Sequence, residues 1–518
     1  MNKKSVEGQL VLKGCVKSKE VLLDQKDAYV LVDGVLTEGS SVVLHATSKE
    51  IGDVVAQSGN ADDMISNMKY LTLADEMLAE DMKLQINANN GVEAIIGSGT
   101  ASTNAARVGD NEYETLQAAI DVAKEETDKE ITVELLKSIS VTETVKIPEG
   151  CNITIKDDGA KIRTVSRGNS WSGETDVMFH LGEGSTLSLA STSTTDENIM
   201  LKVDGNKSNI GVTATSRMME IPVGCTVNVA VGVQISNHKI LNTSAASDNE
   251  VGGAISVNGG TLNVSGGVFL GNEARLGGAV NVSQAGSKVI MTGGIFTENK
   301  SSLHGGALRV NAASEVTIKN VSFVKNVAES NHGGAIRIQN VVTDVTIENC
   351  SFESNTAKFG GAISNASTKD ATKVDIIGNK FKQNTANSDG GGGAINLAGA
   401  VKNVVLKNNT FTGNTGDKTG NDVRIDNASA KIYLSGTNSF EAYIYKNAPA
   451  VLTLNDDFDT TSAITLICHD AQTLDNVLVK GPNAMAAEDA IECFTLSGAN
   501  LADYKLNVSG SNLVLAKK

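Results

Sequence analysis

The pattern of apolar and polar positions repeats along the second half of the chain. Seven residues before each of six phenylalanines stands an aliphatic residue, followed by a mostly polar position and then by another apolar residue. The aliphatic residues are Leu262, Val289, Val316, Val345, Val374 and Val404, and the later apolar residues are Val264, Met291, Ile318, Ile347, Ile376 and Leu406. Alternation of this kind predicts a β-strand with one buried face in every unit.

Two short motifs accompany each strand. Gly-Gly-Ala followed by an aliphatic residue begins at Gly252, Gly277, Gly305, Gly333, Gly360 and Gly392. A phenylalanine followed three residues later by asparagine gives the pairs Phe269/Asn272, Phe296/Asn299, Phe323/Asn326, Phe352/Asn355, Phe381/Asn384 and Phe411/Asn414. Glycine permits sharp turns, alanine fits a crowded corner, and stacked asparagines can hydrogen-bond along an axis.

These units predict the fold. A unit of about 28 residues with about three short strands has too little apolar surface to form a core alone. Stacking buries that surface, and each strand then pairs in parallel with its counterpart about 4.8 Å away. We therefore predict an all-β protein, a right-handed parallel β-helix (solenoid), in which the phenylalanines form one interior column and the asparagines form a ladder.

The two motifs, over about residues 250–425, resemble the repeats of the chlamydial-type polymorphic membrane proteins and of related adhesin-like β-helix proteins. The resemblance implies a secreted, surface-exposed β-helix with roles in adhesion. Farther upstream, Leu116, Ala119, Ile120 and Ala123 mark one face of a helix. This helix and the strand-like segments after it resemble the opening of pectin-lyase-like β-helix domains, where an amphipathic helix covers the end of the core.

The capping helix is expected at about 111–125, with Asn111 and Glu114 as a capping box. The two ends of the chain also resemble each other, because residues 9–48 align without a gap on residues 431–470. We therefore predict four parts, which are a β-rich block over 1–98 like the end of a preceding tandem module, a linker over 99–110, the β-helix over 111–430 and a β-rich end block over 431–518.

Composition narrows the class of function. A formal charge of −16 over 518 residues argues against a nucleic-acid partner, since phosphate binding needs clustered Lys and Arg. No apolar run approaches the roughly 20 residues of a membrane span, so we expect no membrane insertion by this segment. The six cysteines lie far apart and predict free, mostly buried thiols, with no metal site and no cofactor. We expect an excerpt of a longer bacterial protein, located extracellularly or at the cell surface.

Few residues are candidates for binding chemistry. Arg309 and Arg337 follow the glycine motif in adjacent units, with His304 and His332 just before the glycines. We expect either splayed, solvated side chains or a shallow site for an anion or an acidic sugar. Trp171, in a polar segment, is either an ordinary loop aromatic or a surface that stacks on a sugar ring.

The leading hypothesis for function is a non-enzymatic module of a large bacterial surface or secreted protein, an extended stalk or adhesin-like scaffold. Its partners would be a host-surface protein, a glycan or neighbouring modules. Two alternatives stay open, which are a polysaccharide lyase or hydrolase of the pectin-lyase-like fold and a glycan-binding protein like a phage tail spike. Catalytic residues are not predicted, because scanning at the repeat spacing pairs Lys319 with Glu348 and gives no pair of carboxylates.

Overall fold

Parallel strands stacked coil upon coil make up most of the computed structural model, which confirms the predicted parallel β-helix. The structure describes residues 10–23, 28–46, 53–74, 82–87, 90–98, 104–126, 129–168, 171, 177–208, 217–240, 252–341, 343–367, 373–387, 391–398, 401, 403–416, 420–426, 430–444, 451–468, 477–481 and 484–518. Within each regular coil the chain passes through four strands in turn, and each strand pairs with its counterpart in the next coil.

Each of the four positions in the coil forms its own ladder of parallel strands. The first ladder is Glu130–Leu135, Asn152–Asp157, Thr186–Ala190, Thr226–Val229, Thr261–Val264, Lys288–Met291, Glu315–Lys319, Val345–Glu348, Val374–Ile377, Val404–Lys407, Lys431–Gly436, Val451–Phe458 and Val477–Lys480. The second, here called the Phe ladder, is Ile139–Val141, Arg163–Arg167, Leu201–Asp204, Val233–Ser236, Val268–Leu270, Ile295–Thr297, Ser322–Val324, Ser351–Glu353, Lys380–Lys382, Thr410–Thr412 and Ser439–Ile444.

The remaining two ladders flank the glycine motif. The third, here called the glycine-side ladder, is Val145–Ile147, Phe179–Leu181, Met219–Pro222, Ile255–Asn258, Val280–Val282, Leu308–Asn311, Ile336–Gln339, Ile363–Asn365, Ile395–Leu397 and Val423–Ile425; it merges with the Phe ladder at 439–444 and continues through Ala463–Cys468 and Phe494–Ser497. The fourth, here called the outer ladder, is Glu273–Leu276, Lys300–His304, Val327–His332, Thr356–Phe359, Thr385–Ala386 and Thr415–Gly416. The sequence pattern did not predict this fourth strand.

The predicted phenylalanine column lies inside the stack. Phe269, Phe296, Phe323 and Phe352 have no exposed surface, and adjacent rings from Phe269 to Phe411 are stacked with centroids 4.3–5.2 Å apart. The spacing of the rings follows from the coil rise, because strands pair about 4.8 Å apart. One aromatic residue per coil therefore forms a continuous apolar column.

The predicted asparagine ladder is also present, and it uses every hydrogen-bonding group of its amides. The Nδ2 atom of Asn326 donates to Oδ1 of Asn355 at 2.9 Å and to the backbone oxygen of Phe296 at 2.9 Å. Oδ1 of Asn326 accepts from the backbone N–H and from Nδ2 of Asn299. Asn299, Asn355 and Asn384 repeat this pattern. At the ends of the ladder, Oδ1 of Asn272 accepts from the N–H of His238 and Nδ2 of Asn414 donates to Asp422, so these amides are also paired.

The glycine motif makes the turn between the outer and the glycine-side ladders. Gly305 and Gly333 have φ of +63° and +73°, in the left-handed region that glycine adopts without strain. The second glycine of the motif is required by space, because a Cβ on Gly306 would collide with the carbonyl oxygen of Gly334. The following alanine is fully buried in each of these coils, as at Ala307.

The capping helix is confirmed, but its capping residue is not the predicted one. The helix spans Leu116–Asp121 and continues as a 3-10 turn over Val122–Lys124, with Leu116, Ala119, Ile120 and Ala123 buried. Its N-cap is Thr115, whose hydroxyl accepts from the N–H of Ala118 at 3.1 Å, whereas Asn111 lies in the strand Asn111–Tyr113. The predicted linker also differs, because its end forms the strand Ala106–Val108. This strand pairs antiparallel with Asn111–Tyr113 and with Glu130–Leu135, and the pairing satisfies backbone groups at the edge of the first coil.

The described elements of the two ends of the chain come in the same order, apart from one 3-10 turn. Residues 10–98, here called the N-terminal block, contain the parallel strands Leu10–Leu12, Val30–Val32 and Val54–Ser58, a hairpin of Met82–Ile86 and Glu93–Ser98, and a second sheet of Lys17–Leu22, Ser41–His45 and Leu71–Leu73. Its helix is Ala61–Asn67, followed by the 3-10 turn Met68–Tyr70. Residues 431–518, here called the C-terminal block, end in the hairpin Tyr504–Ser509 and Asn512–Lys517, with the helix Ala484–Ala490 and the 3-10 turns Ile491–Cys493 and Ala499–Leu501.

Removing one ring from the phenylalanine column should destabilise the protein strongly. We expect Phe323→Ala to lower the free energy of unfolding by about 3–5 kcal/mol, because it empties a fully buried aromatic site between two stacked rings. Phe411→Ala is the matched control, since Phe411 is only partly buried, and should cost less. Denaturant titration measures both, and a loss below about 1 kcal/mol for Phe323→Ala would contradict its interior position.

Breaking the asparagine ladder should cost less than emptying the phenylalanine column. Asn326→Ala is expected to lower the free energy of unfolding by about 1–3 kcal/mol, because it removes side-chain hydrogen bonds to the buried groups of Asn299, Asn355 and Phe296. Asn152→Ala, at an exposed strand position, is the control and should change stability little. Equal effects of the two substitutions, compared by thermal unfolding, would show that the ladder contributes nothing.

Candidate functional site

The predicted arginine pair lies on the glycine-side ladder, where the two residues are direct neighbours. Arg309 pairs with Arg337 in the register of strands Leu308–Asn311 and Ile336–Gln339. The flanking aliphatic residues of these strands face the core, so the arginines occupy the opposite face. That face is not open to solvent, because Arg309 is 2% and Arg337 is 7% exposed. The expectation of splayed, solvated side chains is therefore wrong.

The outer ladder supplies the cover over the arginines. His304 and His332 end two of its strands, and their rings stack with centroids 5.6 Å apart. Phe359 continues the row, with its ring centroid 4.9 Å from that of His332. The guanidinium of Arg424 lies over the Phe359 ring at 4.9 Å. Sequence alone did not show this cover, because the outer strands are too short and too polar to be recognised by alternation.

Hydrogen bonds join the two arginines to neighbouring strands of the glycine-side ladder, and one polar contact joins His332 to the same ladder. Nη1 of Arg309 donates to Oδ1 of Asn281 at 3.2 Å, and Nη1 of Arg337 donates to the Ser364 hydroxyl at 2.6 Å. Nδ1 of His332 lies 3.4 Å from the same hydroxyl. The structure thus brings together all four of the residues predicted as an anion site, but the two arginines lie buried beneath the two histidines. Anion binding at this site stays a prediction.

Burial sets the charge states of Arg337 and His332. It lowers the pKa of Arg337 to about 10, with a further contribution from the charge of Arg309. Burial also lowers the pKa of His332 to about 3, and the nearby Arg337 acts in the same direction. At neutral pH the histidine is therefore uncharged, so it adds no further positive charge beside the two adjacent arginines.

Trp171, the other predicted ligand-binding residue, lies apart from this row. Its partly buried ring packs against the core, and the guanidinium of Arg167 lies 5.0 Å from the ring centroid. Arg167 is almost fully buried and donates from Nη2 to the backbone oxygen of Arg217 at 2.9 Å. The tryptophan is thus engaged with a cation and with the core, and its stacking on a sugar stays a prediction.

Two surface grooves lie near the first coils, and sequence reasoning missed both. One, of about 510 Å³, is lined by Arg107, Gly109, Asp110, Glu112, Thr132, Glu134 and Lys156. The other, of about 550 Å³, is lined by Ser140, Thr164, Ser166, Asp204, Asn206, Lys207, Ser208 and Asn237. The first was missed because Glu134 and Lys156 are register partners in a shorter coil than those later in the chain.

The first groove combines acidic and basic groups, which is the combination that a polysaccharide-active enzyme needs. Glu134 is bound by Lys156, with Nζ 2.8 Å from Oε1, and by Arg107. The hydrogen bonds from Lys156 and Arg107 lower the pKa of Glu134, and the bond to Glu134 raises the pKa of Arg107. Glu134 is therefore held ionised, which suits an ion pair better than a general acid. On the regular coils, the predicted pair Lys319–Glu348 is confirmed, at 2.7 Å.

All six cysteines are free, and all except Cys15 are buried. Among the described residues, no group of three or more His, Cys, Asp or Glu side chains is arranged to hold a metal ion. The helices in the described ranges are all too short or too polar to cross a membrane.

Acid should lower the stability of the folded protein through the protonation of His332. Because the pKa of His332 is lower in the folded chain than its usual 6.5, the unfolded chain binds more protons below pH 6.5. Stability is therefore full above pH 6.5 and falls as the pH approaches about 3. Between pH 8 and pH 4, we expect the free energy of unfolding of His332→Phe to fall by about 2–3 kcal/mol less than that of the wild type.

Phenylalanine fits this position, since Phe359 occupies it in the next coil. Denaturant midpoints of the wild type and of His332→Phe at the two pH values measure the effect. His180→Phe, on the exposed face of a strand in an earlier coil, is the control and should leave the pH dependence unchanged. An unchanged pH dependence in His332→Phe would show that His332 is not held neutral by burial.

Comparison with protein families gives one match. Residues 349–366 match the Chlamydia polymorphic membrane protein repeat. The matched segment contains Phe352 and Asn355 as well as Gly360, Gly361 and Ala362, so it spans both motifs of one coil. No curated protein and no solved structure matches the chain. The chain is therefore similar to this repeat over residues 349–366, and its fold is that of a parallel β-helix.

Proposed function

We propose that the chain is a non-enzymatic repeat module of a large bacterial cell-surface or secreted protein, and that it acts as an extended stalk with an adhesin-like binding surface. The observation that carries this proposal is the continuity of the stacked coils. The first ladder alone joins strands from Glu130–Leu135 to Val477–Lys480. At about 4.8 Å per strand, its length along the axis is about 60 Å.

The interior of the coils supports a structural role. The phenylalanine and asparagine columns run through the regular coils in one register, and both are buried. Residues committed to a packed column are unavailable for binding, so recognition would fall to the loops and to the exposed strand faces. The likeness of residues 349–366 to a surface-protein repeat agrees with this division. The proposed partners are a host-surface protein or a glycan.

One observation favours a second candidate function, a polysaccharide lyase or hydrolase. The groove lined by Asp110, Glu112 and Glu134 places three carboxyl groups beside Arg107 and Lys156. Hydrolysis needs a carboxyl group that is protonated near neutral pH, and elimination needs an unprotonated base. The ion pairs lower the pKa of Glu134 and raise the pKa of Arg107. The carboxyl group is therefore held ionised and the guanidinium protonated, which is the opposite of what either reaction needs. We therefore place the enzyme second.

We expect no turnover when the chain is incubated with a panel of acidic and neutral polysaccharides. The measurement is the appearance of unsaturated or reducing-end products, which report elimination and hydrolysis respectively. Glu134→Gln and Asp110→Asn, both in the groove, serve as matched variants, with Glu348→Gln on a regular coil as the control. Turnover that is lost in either groove variant and kept in Glu348→Gln would establish the enzyme instead.

A further inference from the structure

The N-terminal block carries exposed apolar residues on strands whose counterparts in the C-terminal block are covered. Leu10 and Val11 are 47% and 48% exposed on the strand Leu10–Leu12, and Leu22 is 59% exposed at the end of Lys17–Leu22. These are the first strands of the two sheets of the block. In each sheet the described strands pair with them on one side only, by Val30–Val32 and by Ser41–His45.

Hydrogen bonds show that the two blocks are built alike. In the C-terminal block the Ser462 hydroxyl accepts from the N–H of Asn438 at 3.1 Å and donates to the oxygen of Asp459 at 2.6 Å. In the N-terminal block the Ser40 hydroxyl accepts from the N–H of Val16 at 3.2 Å and donates to the oxygen of Thr37 at 2.8 Å. Both serines thus bridge the same two turns.

The pairing of the strands fixes which residues correspond. Leu10 pairs with Val30, and Ile432 pairs with Leu452, so Leu10 corresponds to Ile432. On the second sheet Leu22 pairs with His45 and Tyr443 pairs with Ile467, so Leu22 corresponds to Tyr443. The second correspondence differs by one residue from the ungapped alignment of the sequences, because the strand Lys17–Leu22 contains a bulge.

Exposure differs sharply between the corresponding residues. Ile432 is fully buried where Leu10 is 47% exposed, and Tyr443 is 4% exposed where Leu22 is 59% exposed. The cover in the C-terminal block is the last regular coil of the β-helix. Val404 and Leu406 of that coil pair with Ile432 and Leu434, and Arg424 pairs with Tyr443.

From this comparison we propose that the first strands of the N-terminal block are a docking surface for a β-helix coil like that formed by residues 404–425. The coil would belong to a preceding module joined to this block head to tail. It would pair in parallel with Leu10–Leu12 and cover Leu10 and Leu22 with its aliphatic residues. One contact would differ, because Asn438 donates from Nδ2 to the oxygen of Leu406, and Val16 in its place has no such donor.

A β-helix coil would match the first strands of the N-terminal block in shape, in apolar surface and in backbone hydrogen-bonding groups. An edge strand presents unpaired N–H and C=O groups that another strand can complete, and exposed leucines add apolar area to be buried. The C-terminal block shows that a coil of this repeat type satisfies both needs in the same arrangement of strands. Such a joint between modules would serve a chain that binds a host surface and a chain that degrades a polysaccharide alike.

The test compares the full chain with a tandem chain in which residues 111–430 precede residue 9 of the full chain. Residue 9 corresponds to Lys431 by the offset of the two strands. Hydrogen exchange of the segments 10–12 and 17–22 is the measurement. We expect exchange in the tandem chain to be at least about tenfold slower, because paired amides open only with the coil.

Substitutions decide whether the protection comes from the proposed surface. Leu10→Asn and Leu22→Asn should leave the full chain unaffected, since both side chains are already exposed, and should abolish the protection in the tandem chain. Val35→Asn is the matched control. Val35 is equally exposed in the same block, but its counterpart is Asp457, which stays exposed in the C-terminal block.

A second chain tests the same docking surface if the tandem chain does not fold. Residues 1–430 followed by residues 9–98 replace the C-terminal block by a copy of the N-terminal block. We expect hydrogen exchange of Val404–Lys407 to be as slow as in the full chain, and at least about tenfold slower than in a chain that ends at residue 430.

Equal exchange in the swapped chain and in the chain that ends at residue 430, or an unprotected segment 10–12 in a folded tandem chain, would overturn the proposal. Protection of Leu10 and Leu22 that appears in the full chain itself as its concentration is raised, and is lost in Leu10→Asn, would overturn it too. The occupant would then be a second copy of this chain.

Discussion

The structure depends on parallel pairing between equivalent residues of successive coils. Because the pairing keeps one register over the regular coils, each position recurs directly above its counterpart, and a residue suited to one coil is suited to all of them. The same residue type can therefore recur at one position of every coil, and its side chains then stack in a column along the axis. A buried asparagine, which alone would carry unsatisfied groups, completes its bonds from the asparagines above and below it. A slip of one residue would break the two columns and move the buried faces outward.

The same constraint explains how much of the fold could be predicted from the sequence. The strands that contain Val264, Ile318 and Leu406 alternate because one face is buried, and the invariant spacing from Phe to Asn reflects a fixed distance between two columns. The helix over Leu116–Asp121 was visible from its apolar face. Its N-cap was missed because Asn111 and Thr115 both suit a cap, and the choice depends on the antiparallel strand Asn111–Tyr113, a tertiary contact.

The candidate site was predicted less well, for a related reason. The neighbourhood of Arg309 and Arg337 follows from the repeat spacing, but their burial does not, because it depends on the outer strands that bring His304 and His332 over them. Polar residues at an alternate strand position normally face water, so the sequence favoured exposure. The groove at Glu134 was missed because the first coils differ in length from the regular ones, so that a scan at constant spacing passed over the pair with Lys156.

The unequal lengths of the coils have an evolutionary consequence. Asparagines of adjacent coils are 27, 29 or 30 residues apart, yet they occupy one ladder, since the differences are absorbed in the turns and in the outer strands, whose register shifts. A recombination event between the DNA segments that encode two coils would therefore join equivalent positions of the backbone, whichever coils were involved. The product would gain or lose whole coils while the residues of each buried column still faced equivalent residues in the adjacent coil. Length can thus change in steps of one coil, with no intermediate that has to fold differently.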